Sequence, residues 1–227
     1  MASLNDLRTA VTQILGLPTV PGILQLNSNT RERAFEAYVF ALVLRAVRAA
    51  GGTAQLHGIL SGANPNPVVL RGAPGHMASR AQDFAYARCS LNGREFEVHV
   101  DVVYVGGSGA THEIDISLYD RAGADAVRRA AGALPDTRRL RAALECKFYD
   151  SALGVALGRT FVGLVDDCGD LQTKVFATNG QSPALAAYFT KKSRRHAFFA
   201  VSPIIPRHRD RLVDVLDQAF REWTGVP

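Results

Sequence analysis

The segments EIDISLY (residues 113–119) and RAALECKFY (residues 141–149) carry the pattern that decides the fold. Both are rich in strand-forming residues, and apolar side chains alternate with polar or charged ones along each. Because side chains alternate across a strand, Asp115 lies on the polar face of the first strand, and Glu145 and Lys147 share the polar face of the second. The sequence therefore predicts two strands, each with an apolar face and a charged face.

The residues upstream predict two helices and a β-hairpin. An amphipathic pattern predicts a helix over residues 4–15, and Asn29 with Glu32 forms a capping-box-like start of a long second helix. Residues 84–105 alternate in hydrophobicity around Asn92-Gly93, a dipeptide that tolerates the positive φ angles of a tight hairpin turn. The hairpin is expected to belong to the same sheet as the strands predicted at residues 113–119 and 141–149.

Downstream, helical and strand patterns alternate, beginning with a helix that Ser151 is predicted to cap. This order favours an α/β fold with a central mixed β-sheet flanked by helices. We expect residues 1–28 to form an N-terminal helix and linker, and residues 29–227 to form a single domain. Loop insertions are expected at 57–80, which is rich in Gly, Pro and Asn, and at 121–138, which includes a short helix.

Bulk composition limits the class of protein. Hydrophobic residues make up 47% and charged residues 21% of the 227-residue chain, which is typical of a globular protein with a buried core. The excess of 26 Lys and Arg over 21 Asp and Glu gives a charge of +5, which favours a polyanionic partner. Three cysteines without a CxxC pair argue against a disulfide framework and a zinc site. With no leader and no apolar run of about 18 residues, a soluble cytoplasmic protein is expected.

Asp115 and Glu145 predict a metal site if their strands are neighbours. Side chains directly opposite each other have Cβ atoms about 4.5–5.5 Å apart, so two carboxylates there repel and need a cation. Magnesium suits such a site because it prefers hard oxygen ligands. Lys147 shares the face of Glu145 and can hold a water molecule. Together these residue types are what phosphodiester hydrolysis requires.

The same residues resemble the signature of the PD-(D/E)XK nuclease superfamily, also called restriction endonuclease-like. Asp115 matches the single Asp and Glu145-Cys146-Lys147 matches the ExK motif, although Ile114 replaces the Pro of the family pattern. The resemblance implies a restriction endonuclease-like core in which Asp115 and Glu145 bind Mg²⁺, with Mn²⁺ able to substitute. It also implies that Lys147 assists the attacking water.

Two further metal ligands are candidates, and the resemblance suggests a biological role. Glu36, on the predicted second helix, is similar in placement to an acidic residue that some family members add, and the backbone carbonyl of Cys146 can supply another oxygen. The implied activity is metal-dependent endonucleolytic cleavage of DNA, in restriction or anti-phage defence. Specificity or activation would then come from the loops at 57–80 and 121–138, from a second copy of the chain or from a partner protein.

Each of these features also has a plainer interpretation. An Asp and an E-x-K tripeptide on strands are often exposed ion pairs of little energetic weight, and Glu36 can be a salt-bridged helix residue. Three basic clusters can grip phosphates or be solvated faces: Arg138 with Arg139 and Arg141, Lys191 and Lys192 with Arg194 and Arg195, and Arg207 with Arg209.

Three other functions stay open on the sequence alone. The chain can be a non-catalytic nucleic-acid-binding or assembly domain that retains the fold, or a nuclease directed at RNA. A small-molecule α/β enzyme is the third alternative, although no cofactor fingerprint supports it. A metal-dependent cleavage assay separates the first alternative from a nuclease, and parallel DNA and RNA substrates separate the second.

Overall fold

The computed structural model describes residues 1–26, 28–130, 132–151, 153–191 and 196–225. Its strands, in chain order, are β1 (Leu24–Leu26), β2 (Thr53–Gly58), β3 (Gly62–Ala63), β4 (Val68–Leu70), β5 (Ala85–Leu91), β6 (Arg94–Val105), β7 (Thr111–Asp120), β8 (Leu140–Lys147), β9 (Thr173–Thr178) and β10 (His196–Phe198). Eight of them form one sheet in the order β10-β9-β8-β7-β6-β5-β2-β3, and β1 pairs with β4 separately. Within the eight-stranded sheet, the pairs β8–β9 and β9–β10 are parallel and the remaining pairs are antiparallel, so this sheet is mixed, as predicted.

Helices flank this sheet. They are α1 (Leu4–Leu15), α2 (Arg31–Ala49), α3 (Arg121–Arg129), α4 (Val155–Asp167), α5 (Pro183–Thr190) and α6 (Pro206–Thr224). The predicted α/β class with a central mixed sheet is therefore confirmed. No helix in the described part of the chain combines the length and hydrophobicity needed to cross a bilayer.

Two apolar cores lie on the two sides of the sheet. The first core joins the sheet to α1, α2 and α6 and includes Phe40 and Leu216, whereas the second joins it to α3, α4 and α5 and includes Phe161. Neighbouring strand residues alternate between them, as Leu144 packs in the first core and Ala143 in the second. Each large side chain buried in this way stabilises the fold by about 1.5–3 kcal/mol.

The hairpin of β5 and β6 is the best example of a locally encoded element. Leu91 pairs with Arg94 across a two-residue turn, in which Asn92 has φ 47° and Gly93 has φ 76°. Positive φ at both central residues is the hairpin turn that matches the twist of the strands. The predicted turn at Asn92-Gly93 is confirmed.

Two helix starts differ from the prediction. The side chain of Thr30, not that of Asn29, caps α2 by accepting a hydrogen bond from the backbone N–H of Arg33. Helix α4 begins after Gly154, which makes no side-chain capping bond, whereas Ser151 was expected to cap it. Both shifts amount to one to three residues, because several residues near a helix start can satisfy the same backbone N–H groups.

The predicted linker and insertions contain more structure than expected. Residues 57–80 include β3 and the buried strand β4, which pairs in parallel with β1 from the predicted N-terminal linker. Residues 121–138 begin with α3, the short helix predicted within this insertion, rather than with a loop. Helix α1 packs in the first core through Leu7 and Val11, so this N-terminal helix is part of the packed structure.

Candidate metal centre

The predicted acidic pair lies where β7 and β8 part. The last paired residues at this end are Ile116 and Leu144, and the next positions outward are Asp115 and Glu145. Oδ2 of Asp115 accepts a 2.6 Å hydrogen bond from the backbone N–H of Cys146. A side-chain oxygen thus continues the hydrogen bonding between the strands and fixes the Asp115 carboxylate beside β8.

Lys147 lies against both carboxylates. Its Nζ is 2.5 Å from Oε1 of Glu145 and 3.6 Å from Oδ2 of Asp115. Burial alone would lower the pKa of Lys147, but the negative charges of Asp115 and Glu145 outweigh it, so this pKa is raised. The ammonium group therefore stays protonated at neutral pH, and the structure brings the three residues predicted as catalytic into contact.

Glu36 reaches the same place from helix α2. Its side chain is buried, and its Oε2 accepts a 2.7 Å hydrogen bond from Nη1 of Arg33, one helical turn earlier. Burial and the charge of Asp115 raise the pKa of Glu36 to about 7. Burial and the same charge raise the pKa of Glu145 to about 7.

Asp101, on β6, is a member of the cluster that the sequence analysis missed. Its side chain is fully buried, and carboxylate oxygens of Asp101, Glu36 and Asp115 lie within 4.8 Å of one another. Oδ2 of Asp101 lies 3.1 Å from Nη1 of Arg33, whereas Oδ1 is buried without a hydrogen-bond partner among the described residues. Burial and the charge of Glu36 raise the pKa of Asp101 to about 8.

The backbone explains how Asp101 comes to face the cluster. Asp101 has φ 49°, a left-handed conformation that is rare inside a strand. On its two sides Val100 packs in the first core and Val102 in the second, and on β7 Ile116 and Ile114 divide in the same way. The uninterrupted alternation predicted for β7 is therefore broken, and both strands change faces at the acidic residues.

The centre carries more negative than positive charge. Glu113 is partly buried at its edge, where burial and the charge of Asp115 raise its pKa. Raised carboxyl pKa values mark a site that accepts protons or cations readily. Five carboxyl groups thus gather around two cationic side chains: Glu36, Asp101, Glu113, Asp115 and Glu145 surround Arg33 and Lys147.

An open cleft gives access to this centre. Its volume is about 630 Å³, and its walls include Arg33, Glu36 and Lys147 together with the exposed side chain of Tyr149. Cys146 also lines the cleft, although its described contact with Asp115 is through the backbone N–H and not through the carbonyl. Burial raises the pKa of the Cys146 thiol, so this group is inert.

Four described residues of the predicted basic clusters are paired with acidic residues that are not part of the centre. Arg138 pairs with Asp136, and Arg139 and Arg141 each lie 3.7 Å from Asp120. Arg209 pairs with Asp210 on α6. Three members of the remaining cluster lie outside the described residues: Lys192, Arg194 and Arg195.

Of the candidates from sequence, Asp115, Glu145, Lys147 and Glu36 come together. Asp101 could have been found from one signal, an acidic residue inside the apolar run VDVVYV (residues 100–105). Comparisons with protein families, with curated proteins and with solved structures gave no match to this chain.

Proposed function

We propose that the chain is a magnesium-dependent endonuclease that hydrolyses DNA phosphodiester bonds. The observation that carries the proposal is the meeting of Asp115, Glu145 and Lys147, with Glu36 beside them, at the parting ends of two antiparallel strands. A buried excess of carboxylates is costly unless a cation neutralises it. The sequence resemblance to the restriction endonuclease-like family, in which Asp115 matches the single Asp and Glu145 and Lys147 match the ExK motif, supports the same proposal.

The donor set suits a hard divalent cation. Glu36, Asp115 and Glu145 offer carboxylate oxygens, which Mg²⁺ prefers and which Mn²⁺ also accepts. The carbonyl of Cys146 remains a candidate fourth protein ligand. A cation bound there supplies electrostatic stabilisation of the charge that develops on a phosphate during hydrolysis.

Lys147 is proposed to position the attacking water. A lysine ammonium has three N–H donors. Nζ donates to Oε1 of Glu145 at 2.5 Å, whereas Asp115, at 3.6 Å, is an ion-pair partner only, so the ammonium group has donors left for a water molecule or a phosphate oxygen in the cleft. The two carboxylates hold the ammonium group in place, so little side-chain freedom has to be lost when the substrate binds.

A nucleic acid is the substrate class that the charges favour. The chain carries a formal charge of +5, and Arg33 and Lys147 stand on the cleft wall where a phosphate backbone would pass. Target choice is proposed to come from segments beside the cleft, from a second copy of the chain or from a partner protein. The three cysteines are unpaired and buried, which suits the reducing cytoplasm in which DNA restriction or anti-phage defence would act.

The test is cleavage of plasmid DNA with Mg²⁺, with and without EDTA, by the parent chain and by Lys147→Ala. We expect cleavage by the parent that requires Mg²⁺ and stops in EDTA, with a loss of at least about 100-fold in Lys147→Ala. Lys174→Ala is the matched control, because it removes the same charge from the neighbouring strand β9. Lys174 lies four positions before Thr178, the residue that pairs with Lys147.

Other outcomes of the cleavage assay would favour a different mechanism or a different function. Equal cleavage by the parent and Lys147→Ala would remove Lys147 from the mechanism. Cleavage of RNA but not of DNA in parallel reactions would favour the RNA-directed alternative. Binding of nucleic acid that EDTA leaves unchanged, without cleavage of any substrate, would favour the non-catalytic binding domain.

A further inference from the structure

Asp101 is a buried carboxyl group that the proposed mechanism does not use. Its side chain has no exposed surface, and its Oδ1 is buried and accepts no hydrogen bond from the described residues. Buried polar oxygens are nearly always satisfied, because an unsatisfied one destabilises the fold. The oxygens of Glu36 and Asp115 lie within 4.8 Å of a carboxylate oxygen of Asp101, so the unsatisfied group belongs to an acidic trio.

We infer that Asp101, together with Glu36 and Asp115, holds the divalent cation, and that Arg33 occupies two of these carboxylates until the cation displaces it. The inference rests on the proposed function in one respect, namely that this centre binds a divalent cation. Three carboxylates in one buried cluster are a donor set for a hard cation such as Mg²⁺ or Mn²⁺.

Arg33 is placed to act as the internal competitor of the cation. Its Nη1 lies 2.7 Å from Oε2 of Glu36 and 3.1 Å from Oδ2 of Asp101, so one nitrogen bridges two members of the trio. A divalent cation among the same oxygens repels the guanidinium group. Arg33 also lines the cleft beside Lys147, and its release would therefore present a planar group of N–H donors to a phosphate.

A purely structural role for Asp101 explains less. An ion pair with Arg33 uses only Oδ2 and leaves Oδ1 without a partner in the described structure. The carboxylate of Asp101 also lies close to those of Glu36 and Asp115, and the repulsion among these three acids destabilises the fold. An ion pair between Asp101 and Arg33 alone gives no reason for such an arrangement. A cation that accepts electron pairs from all three groups accounts for both facts.

The test is Mn²⁺ binding to the full chain in the absence of nucleic acid. The fraction of Mn²⁺ that stays free is measured by electron paramagnetic resonance. Asp101→Asn should weaken binding by at least about tenfold. Asn tolerates positive φ better than other residues with a side chain, so the variant should fold. Glu32→Gln is the matched control, because Glu32 is an exposed acid on the same cleft and helix but lies outside the trio.

Arg33→Gln gives a second and opposite readout. Removing the competing charge should tighten Mn²⁺ binding by about tenfold. A side chain that is 25% exposed can be replaced without opening the core, so this variant keeps the inference testable if Asp101→Asn does not fold.

The outcomes separate this inference from the proposed function. Parent-like binding by Asp101→Asn, or unchanged binding by Arg33→Gln, would overturn the inference while leaving the Asp115 and Glu145 centre intact. A parent chain that binds no Mn²⁺ at any concentration below precipitation would overturn both.

Discussion

Replacing Asp101 with Asn should change how the stability of the metal-free protein depends on pH. Burial and the charge of Glu36 raise the pKa of Asp101 to about 8, whereas an Asp in an unfolded chain titrates near 3.9. The folded state therefore keeps a proton that the unfolded state releases. This contribution to stability is fully present below the unfolded pKa, falls above it, and is lost as pH rises through the folded pKa.

The magnitude follows from one proton. Each proton bound only by the folded state changes the free energy of unfolding by about 1.4 kcal/mol per pH unit. Between pH 5 and 7 the parent should lose about 3 kcal/mol relative to Asp101→Asn. For a chain of this size that difference corresponds to a melting temperature that falls by about 3–6 °C per pH unit. Glu36 and Glu145, whose pKa values are raised to about 7, and the histidines His57 and His99, whose pKa values are lowered, are present in both proteins, so their contributions cancel to first order in the comparison.

The assay is thermal unfolding in EDTA at pH 5, 6 and 7, with Glu32→Gln as the charge-matched control that should follow the parent. The stability of Asp101→Asn relative to the parent should increase steadily over this range. Parallel curves for the parent and Asp101→Asn would mean that Asp101 is ionised in the folded protein. Burial and the neighbouring acids would then not raise the pKa of this carboxyl group, and the argument that the acidic trio needs a cation would be refuted.

Two further substitutions test the centre and the fold around it. Asp115→Asn should reduce DNA cleavage by at least about 100-fold, because losing even a group that only hydrogen-bonds to a metal ligand costs up to about 100-fold. The circular dichroism spectrum should not change, because an amide oxygen can still accept the hydrogen bond from the backbone N–H of Cys146. Parent-like turnover would contradict the role of Asp115 as a metal ligand. Glu97→Gln should destabilise the protein by roughly 3 kcal/mol in urea unfolding, because it removes the buried carboxylate that Arg128 and His99 contact; a midpoint equal to that of the parent would show that this network contributes little.

The parts of the fold that could be predicted from sequence are those that local residues determine. Asn92-Gly93 imposes the turn of the β5–β6 hairpin by its own backbone preferences. Period-two alternation identified β7 and β8, and it put Glu145 and Lys147 on one face before any pairing was known. Helix α1 was predicted with its observed ends from its amphipathic pattern, and in the structure Ser3 and Gly16 cap these ends.

The parts that could not be predicted depend on residues far apart in the chain. Strand β4 lies in a stretch rich in Gly, Pro and Asn, and it becomes a strand because it pairs with β1, more than forty positions earlier. Asp101 was missed as a site residue because the pattern of β6 does not show that its carboxylate meets Glu36 of α2 and Asp115 of β7. Arg33 faces the carboxylates of two different elements, Glu36 on α2 and Asp101 on β6, and only the packed structure brings these together.

Two buried acids on the same strand differ in how well the fold satisfies them, and this difference separates the candidate metal centre from a structural ion pair. Glu97 and Asp101 lie four positions apart on β6, and neither side chain has exposed surface. Burial would raise the pKa of Glu97, but hydrogen bonds from His99 and Arg128 outweigh it and lower this pKa to about 2. Glu97 is thus a fully satisfied carboxylate that stabilises the fold.

Asp101 has the opposite character. One of its oxygens has no partner in the described structure, its nearest neighbours include two further acids, and its pKa is raised to about 8. Since the fold satisfies Glu97 completely on the same strand, burial in this sheet does not by itself force a carboxyl group to stay unpaired. The strain at Asp101 therefore needs a separate cause, and the cation that we propose for this centre would supply both the missing partner and the missing positive charge.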